Sequence, residues 1–292
     1  MEIKYIKHSE INRQKWDDCI QNACNSLVYA ESWFLDIVSP HWEALVLDDY
    51  EYVMPLPVKK KYGISFLVQP PLTQQLGIFS ASKIDENIVG HFIEKIPYRS
   101  YHLDFNEQNL YSKGIKQHNF ILNLNKDYRT IRSAYSENTK RNVKKAYNFN
   151  VEIKTDISIS DFLKFYYMTE KKYPVAPNAK ANKLIIESSE KNAITIFGAY
   201  NINNQLISAL CLLHSSKRLI YWLPVSNKEG KNTSSMFKIV DEIILKYANS
   251  NVVLDFEGSN IAGIARFYQG FGGELRHYYQ IKRWSINDFI DE

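Results

Sequence analysis

The chain has 292 residues, 45% hydrophobic and 14% aromatic, which excludes a disordered chain and leaves room for two domains of ordinary size. A formal charge of +4 is too small to argue for a DNA or RNA binder and licenses only a mild preference for anionic ligands. Cys19, Cys24 and Cys211 show no paired metal spacing, the segment 1–16 has no apolar leader, and no window approaches the roughly 18 apolar residues of a membrane span, so a reduced, cytoplasmic protein is expected.

In chain order, a strand is expected over 2–8 and a helix over 11–24, where Trp16, Cys19, Ile20 and Ala23 recur at helical spacing. A short helix follows over 32–39, then strands over 42–49, 52–60 and 64–69. The amphipathic segment 85–96 places Ile88, Phe92 and Ile96 on one helical face and leads to strands over 101–105 and 118–125. A basic helical connector spans 127–149, with a break expected at Ser136 to Asn138.

The order then returns. A strand is expected over 151–157, helices over 160–172 and 182–190, and a hairpin over 193–216 that turns at Asn203-Asn204, since Asn tolerates positive φ. A strand over 218–226, a helix over 234–248 burying Met236, Ile239, Val240, Ile243, Ile244 and Tyr247, a strand over 252–256, a short helix and a last strand over 274–284 complete the chain. Two sequence matches support a duplicated unit: "EIKYIKHSEI" at Glu2 is echoed by "EIKTDISISD" 150 residues later, and "YHLDFNEQN" by "VVLDFEGSN" at nearly the same offset. Each half reads as a mixed sheet with helices on both sides.

This order resembles the GNAT acyltransferase fold, present twice. Tyr268 to Gly272 matches the Tyr-x-x-x-Gly pattern that ends the last GNAT helix, and "LDFEGS" with "GIARFYQGFGG" resembles the tail of the tandem-GNAT group that includes the FemABX peptidoglycan-bridge aminoacyltransferases. The connector "SENTKRNVKKA" is similar to that group's basic segment. The resemblance implies an α/β (α+β, mixed-sheet) architecture of two GNAT-like domains, residues 1–125 and 149–292, joined by a helical connector over 126–148. Two departures stand out. Tyr268 occupies the place of the family's lysine, which puts an aminoacyl-tRNA donor in doubt. The donor loop, residues 225–240, carries only Gly230 where coenzyme A loops usually carry more glycine.

The candidate chemistry follows. Asp255 and Glu257 alternate along a strand and would share a face, which suits a general base toward an amine; the other reading has one of them capping the helix at Asn260 or pairing with Arg266. Tyr268 is a general acid toward a leaving thiolate by family likeness, or a packing tyrosine. Lys228, Gly230, Lys231, Asn232, Thr233 and Ser234 form the candidate cofactor loop, with Thr233 or Ser234 as helix cap and backbone donors near Val225 facing the reacting carbonyl. Candidate substrate contacts are Gln74 and Gln75 in the proline-interrupted stretch "FLVQPPLTQQLGIF", Tyr221 and Trp222, Arg266, and Lys140 and Arg141 of the basic stripe that also holds Arg129, Arg132, Lys144 and Lys145. The seven histidines form no ligand pattern, so no metal is expected.

The expectation is an N-acyltransferase. It moves an acyl or aminoacyl group, with acyl-coenzyme A favoured over aminoacyl-tRNA as donor, to an amine of a cell-envelope precursor such as a nucleotide sugar or muropeptide. The alternative is a degenerate tandem GNAT protein that binds a ligand without turning it over.

Overall fold

The structure, a computed structural model, describes residues 2–155, 157–170, 179–215, 217–258 and 261–283. The chain divides into two compact units, one taking the residues up to His118 together with those from Arg276 onward, the other running from Asn119 to Leu275. No helix among the described residues is long and apolar enough to cross a membrane.

The first unit is built from β1 (Ile3–Ile6), α1 (Arg13–Asn22), α2 (Ser32–Val38), β2 (Glu43–Leu47), β3 (Tyr52–Leu56), β4 (Val58–Lys61), β5 (Ile64–Val68), β6 (Phe79–Ser80), α3 (Glu86–Glu94) and β7 (Tyr101–Asp104). Helix α1 starts where the Asn12 side chain accepts from Lys15 N, and it buries Trp16 and Ile20. Cys19 sits half-buried on the same helix, and burial pushes its thiol up to about 11, which makes it a poor nucleophile. The strand expected over 52–60 is in fact two. Pro57 has no N–H to give, and on either side of it β3 pairs with β2 and β6 while β4 pairs with β5.

The irregular stretch after β5 is held by asparagine side chains instead of a strand ladder. Asn109 Oδ1 accepts from Ile78 N at 2.6 Å, Asn106 Nδ2 donates to Leu76 O at 2.9 Å, and Asn25 Nδ2 donates to Ile78 O at 2.8 Å. All three asparagines are buried; Leu76 O also accepts from Asn106 N at 2.8 Å, while the Ile78 N–H and C=O are held by asparagine side chains. The core of this unit gathers Leu45, Met54, Phe92, Leu103 and Phe105.

After β8 (Ile115–Asn123), the second unit continues with α4 (Tyr128–Ser133), α5 (Glu137–Asn148), β9 (Glu152–Thr155), α6 (Ile159–Met168), α7 (Ala179–Glu190), β10 (Ile194–Tyr200), β11 (Leu206–Ser215), β12 (Arg218–Ser226), α8 (Lys228–Thr233), α9 (Ser235–Tyr247), β13 (Val253–Asp255), α10 (Ala262–Gly270) and the start of β14 (Glu274–Arg283). The connector breaks where expected, because Ser136 caps α5 by accepting from Thr139 N. The sheet order is β8-β13-β12-β11-β10-β9, with β12 and β13 parallel and the remaining pairs antiparallel. Ile239, Val240, Ile243 and Ile244 of α9 pack into its core, with Met236 and Tyr247 at the margin.

The closing strand of each sequence half belongs to the other unit. Residues 121–123 of β8 pair with β13, and residues 280–283 of β14 pair with β7. The expected extension of this last strand to Trp284 lies outside the described residues, as does the part of the helix expected over 171–172.

Candidate functional site

Strands β12 and β13 pair only at Arg218↔Val253, Leu219↔Leu254 and Ile220↔Asp255. Beyond that point β12 runs on to Ser226 against β11 alone, past a bulge between Cys211 and Leu212. The chain after β13 turns into α10, so the two parallel strands part and leave a gap between them. A cleft of ≈ 370 Å³ opens there, lined by Tyr221, Pro224 and Ser226 of β12, Gly230 and Lys231 of α8, Ser234, Met236 and Phe237 at the start of α9, and Gly263, Ile264, Phe267 and Tyr268 of α10.

Two helices aim their first turns into this cleft. The opening N–H groups of any helix lack intrahelical acceptors, and neither Ser234 before α9 nor Ile261 before α10 supplies a side-chain cap. Ser234 sits at φ +59° and gives its hydroxyl to Asn142 Oδ1 at 2.8 Å. The expected cap at Thr233 or Ser234 is therefore corrected: Thr233 ends α8, and its hydroxyl donates to Glu229 O at 3.0 Å. The capped helix is α8, where Asn227 Oδ1 accepts from Gly230 N at 2.8 Å. That bond also takes up the Gly230 N–H.

Tyr268 forms one wall of the cleft. It is 7% exposed, its ring stacks on Phe256 with centroids 4.9 Å apart, and its hydroxyl makes no hydrogen bond among the described residues. Burial holds its proton far above the ordinary phenol range, and the nearby carboxylates of Glu257 and Asp255 add to the effect. Tyr221 meets it edge-on at 5.9 Å and is likewise pushed up by burial. A buried phenol whose O–H has no partner among the described residues thus lines a mostly apolar groove.

The carboxylates differ from their expected arrangement. β13 ends at Asp255, and Glu257 takes φ +58°, so the strand alternation that would put both on one face stops before Glu257. Asp255 is 2% exposed, accepts from Arg218 Nη1 at 2.5 Å and from Glu257 N at 2.9 Å. Its cation partner is Arg218 and not Arg266, which lies exposed on α10. Asn260, the other expected partner, lies outside the described residues. Glu257 is half-buried and near enough to Tyr268 to raise its pKa.

A larger cleft of ≈ 930 Å³ lies on the other side of α8. It is lined by Asp161, Lys164, Phe165 and Met168 of α6, by Thr169 and Glu170, by Tyr200 and Gln205 to Ile207 of the β10–β11 hairpin, and by Asn227, Lys228, Glu229 and Lys231. Lys231 borders both clefts.

Comparison with solved structures bears on this architecture. The crystal structure of FemX aligns with a TM-score of 0.67 at 11% identity, covering 96% of this chain and 98% of that one. A tandem GNAT protein from the clavulanic acid biosynthesis pathway aligns at 0.50 and 9% identity, covering 97% and 99%. This chain has the FemX-like tandem GNAT fold. The L-PGS of Bacillus licheniformis shares it at 0.58 and 9% identity, covering 95% and 94%. No family model and no curated protein matches the sequence.

Within the tandem GNAT fold the remaining candidates fall as follows. Val225 is buried in β12 opposite Ala209, and Trp222 is buried outside the lining of either cleft. Lys228 lines the larger cleft, and Asn232 is exposed on α8. Lys140 pairs with Glu137 at 2.9 Å and Arg141 with Asn138 at 2.8 Å along α5, and neither lines a described cleft. Gln74 and Gln75 belong to the first unit, where Gln75 donates to Gln74 Oε1 and accepts from Glu107 N at 3.1 Å. Among the described residues no three His, Cys, Asp or Glu side chains gather as a metal site. Sequence reasoning missed Phe237, Ile264, Phe267 and the α6 face. The one signal for them was a glycine, Gly263, inside the first turn of a helix.

Proposed function

We propose that this protein is an N-acyltransferase whose donor cleft is the gap between β12 and β13. The observation that carries the reading is the convergence on that gap of two helix N-termini without side-chain caps and the buried Tyr268 hydroxyl. Such a site offers backbone N–H groups to a carbonyl or phosphate oxygen, and a phenol to a leaving group. A thioester such as acyl-coenzyme A fits it, with Ser234 and Lys231 beside its anionic part and Met236, Phe237 and Phe267 along its apolar arm.

The acceptor amine enters from the larger cleft, where Lys164 and Lys228 alternate with Asp161, Glu170 and Glu229 beside Phe165 and Tyr200. That mixed lining suits a polar acceptor carrying both charge and an apolar face, such as a cell-envelope precursor. In the transfer step the amine nitrogen forms a bond to the carbonyl carbon and the C–S bond breaks. The amine proton passes to Glu257 directly or through water, and the thiolate leaves against the Tyr268 O–H. Asp255, held by Arg218, positions Glu257 through its backbone N–H.

Calorimetric titration with coenzyme A and acetyl-coenzyme A, with charged and uncharged tRNA as parallel titrants, tests this reading. Coenzyme A binding that is weakened by changing Lys231 and Ser234 supports a thioester donor. Binding to charged tRNA alone transfers the donor role to an aminoacyl ester, and heat from neither titrant removes the donor site.

A further inference from the structure

Among the described residues Gly230, Gly270 and Gly272, around the donor cleft, carry visible structural reasons, and Gly263 does not. At Gly230 a Cβ would run into Ile207 O and the Ser208 hydroxyl, so α8 can lie on β11 only without a side chain there. A Cβ at Gly270 would strike the Thr139 hydroxyl where α10 crosses α5, and Gly272 sits at φ +87°. Gly263 has neither reason. It lies in the first turn of α10 with a helical backbone, and a Cβ built on it meets nothing within 4 Å. Glycine in a helix is less stable than alanine, so the fold itself favours a side chain at this position. The open space beside Gly263 is the donor cleft, which it lines together with Ile264 and Phe267.

We infer that Gly263 sets the width of the donor cleft and is kept free of a side chain by the ligand that passes across the first turn of α10. This inference rests on the assignment of that cleft to a thioester donor and names the residue that determines which donors pass. The apolar lining at this level, where the Phe237 and Phe267 rings meet edge to face with centroids 4.7 Å apart beside Met236 and Ile264, suits a flexible arm of alternating methylene and amide groups lying along it, as in a phosphopantetheine thioester. A side chain at 263 narrows the passage from the α10 side and covers the uncapped N–H groups of that turn.

The test compares the wild-type protein with Gly263→Ala, Gly263→Leu and, as a control, Gly90→Ala. Gly90 also lies inside a helix, α3 of the first unit, with nothing within 4 Å of its Cβ position, and it lines neither cleft. Alanine and leucine are both better helix formers than glycine, so none of these changes is expected to unfold the protein. The expected thermal midpoints are unchanged or higher, by about 2 °C for each alanine variant. Calorimetric affinity for coenzyme A is expected to fall with side-chain size at 263, by about tenfold or more for leucine, and to stay unchanged for Gly90→Ala. Wild-type affinity in Gly263→Leu overturns the inference while leaving the donor assignment intact, and a lowered midpoint in Gly263→Ala overturns it by showing that the fold needs this glycine. Absence of coenzyme A binding by the wild-type protein removes the donor assignment and this inference with it.

Discussion

Arg218, at the first paired rung of the two parallel strands, places its Nη1 2.5 Å from Oδ2 of Asp255 at the last, with side chains only 15% and 3% exposed. The same carboxylate accepts from Glu257 N, so one ion pair holds both the end of β13 and the corner that leads to α10. Removing the cation strands a buried carboxylate, which typically costs about 3–5 kcal/mol. Arg218→Ala is therefore expected to lower unfolding stability by about 3 kcal/mol in urea titration. The double variant Arg218→Met with Asp255→Leu is expected to recover much of that loss, and equal losses in the single and double variants would count against the buried charge as the cause.

Tyr268 offers a cleaner separation of packing from chemistry. Phenylalanine keeps the ring that stacks on Phe256, and the hydroxyl it deletes has no hydrogen bond to lose among the described residues. Tyr268→Phe should then leave the unfolding midpoint and coenzyme A affinity near wild type while lowering kcat by about 100-fold or more, the usual range for a lost proton donor. An unchanged kcat would return Tyr268 to the packing role.

Glu257 is a glutamate in the left-handed region, a conformation that strains a residue with a Cβ by roughly 1–2 kcal/mol. If the side chain is retained for proton transfer, Glu257→Gly should preserve or raise stability by up to about 1 kcal/mol and still abolish turnover. Glu257→Gln should abolish turnover with stability unchanged. Turnover surviving both substitutions, measured with any amine acceptor that the wild-type protein acylates, removes Glu257 from the mechanism.

These residues also show what the sequence could and could not carry. The duplicated unit was legible because β1 and β9, and β7 and β13, keep matching residues at nearly the same offset. Tyr268 and the α8–α9 loop were legible because local patterns mark them. Arg218 was not, since it reaches Asp255 from 37 positions away, while Arg266 stood closer in sequence and took its place in the reading. The strand exchange was hidden as well, because the sequence of a strand does not name the strand that lies beside it. Nothing in the sequence marked Asn106 and Asn109 as the residues whose side chains hold the backbone at Leu76 and Ile78 after Pro70 and Pro71.

The connector helices make a prediction that depends on pH. Tyr128 and Tyr135 both donate to Asp241, at 3.0 Å each, from α4 and the turn after it to the middle of α9. Asp241 is 1% exposed, and burial raises its carboxyl above the unfolded value of 3.8, with the two phenols acting in the opposite direction. The folded protein therefore holds this proton more tightly than the unfolded chain does. Its contribution to stability is greatest at acid pH and declines as pH rises from 3.8 through the folded value. Tyr135→Phe removes one hydrogen bond to the ionised carboxylate, worth about 1.5–3 kcal/mol, and shifts the folded value further upward. The loss should therefore be larger at pH 7 than at pH 4.5, because the carboxyl of the variant takes up its proton at a higher pH than that of the wild type. Urea unfolding of both proteins at the two pH values measures the difference; equal losses at both would mean that the cost of losing the Tyr135 hydroxyl does not depend on the charge of Asp241.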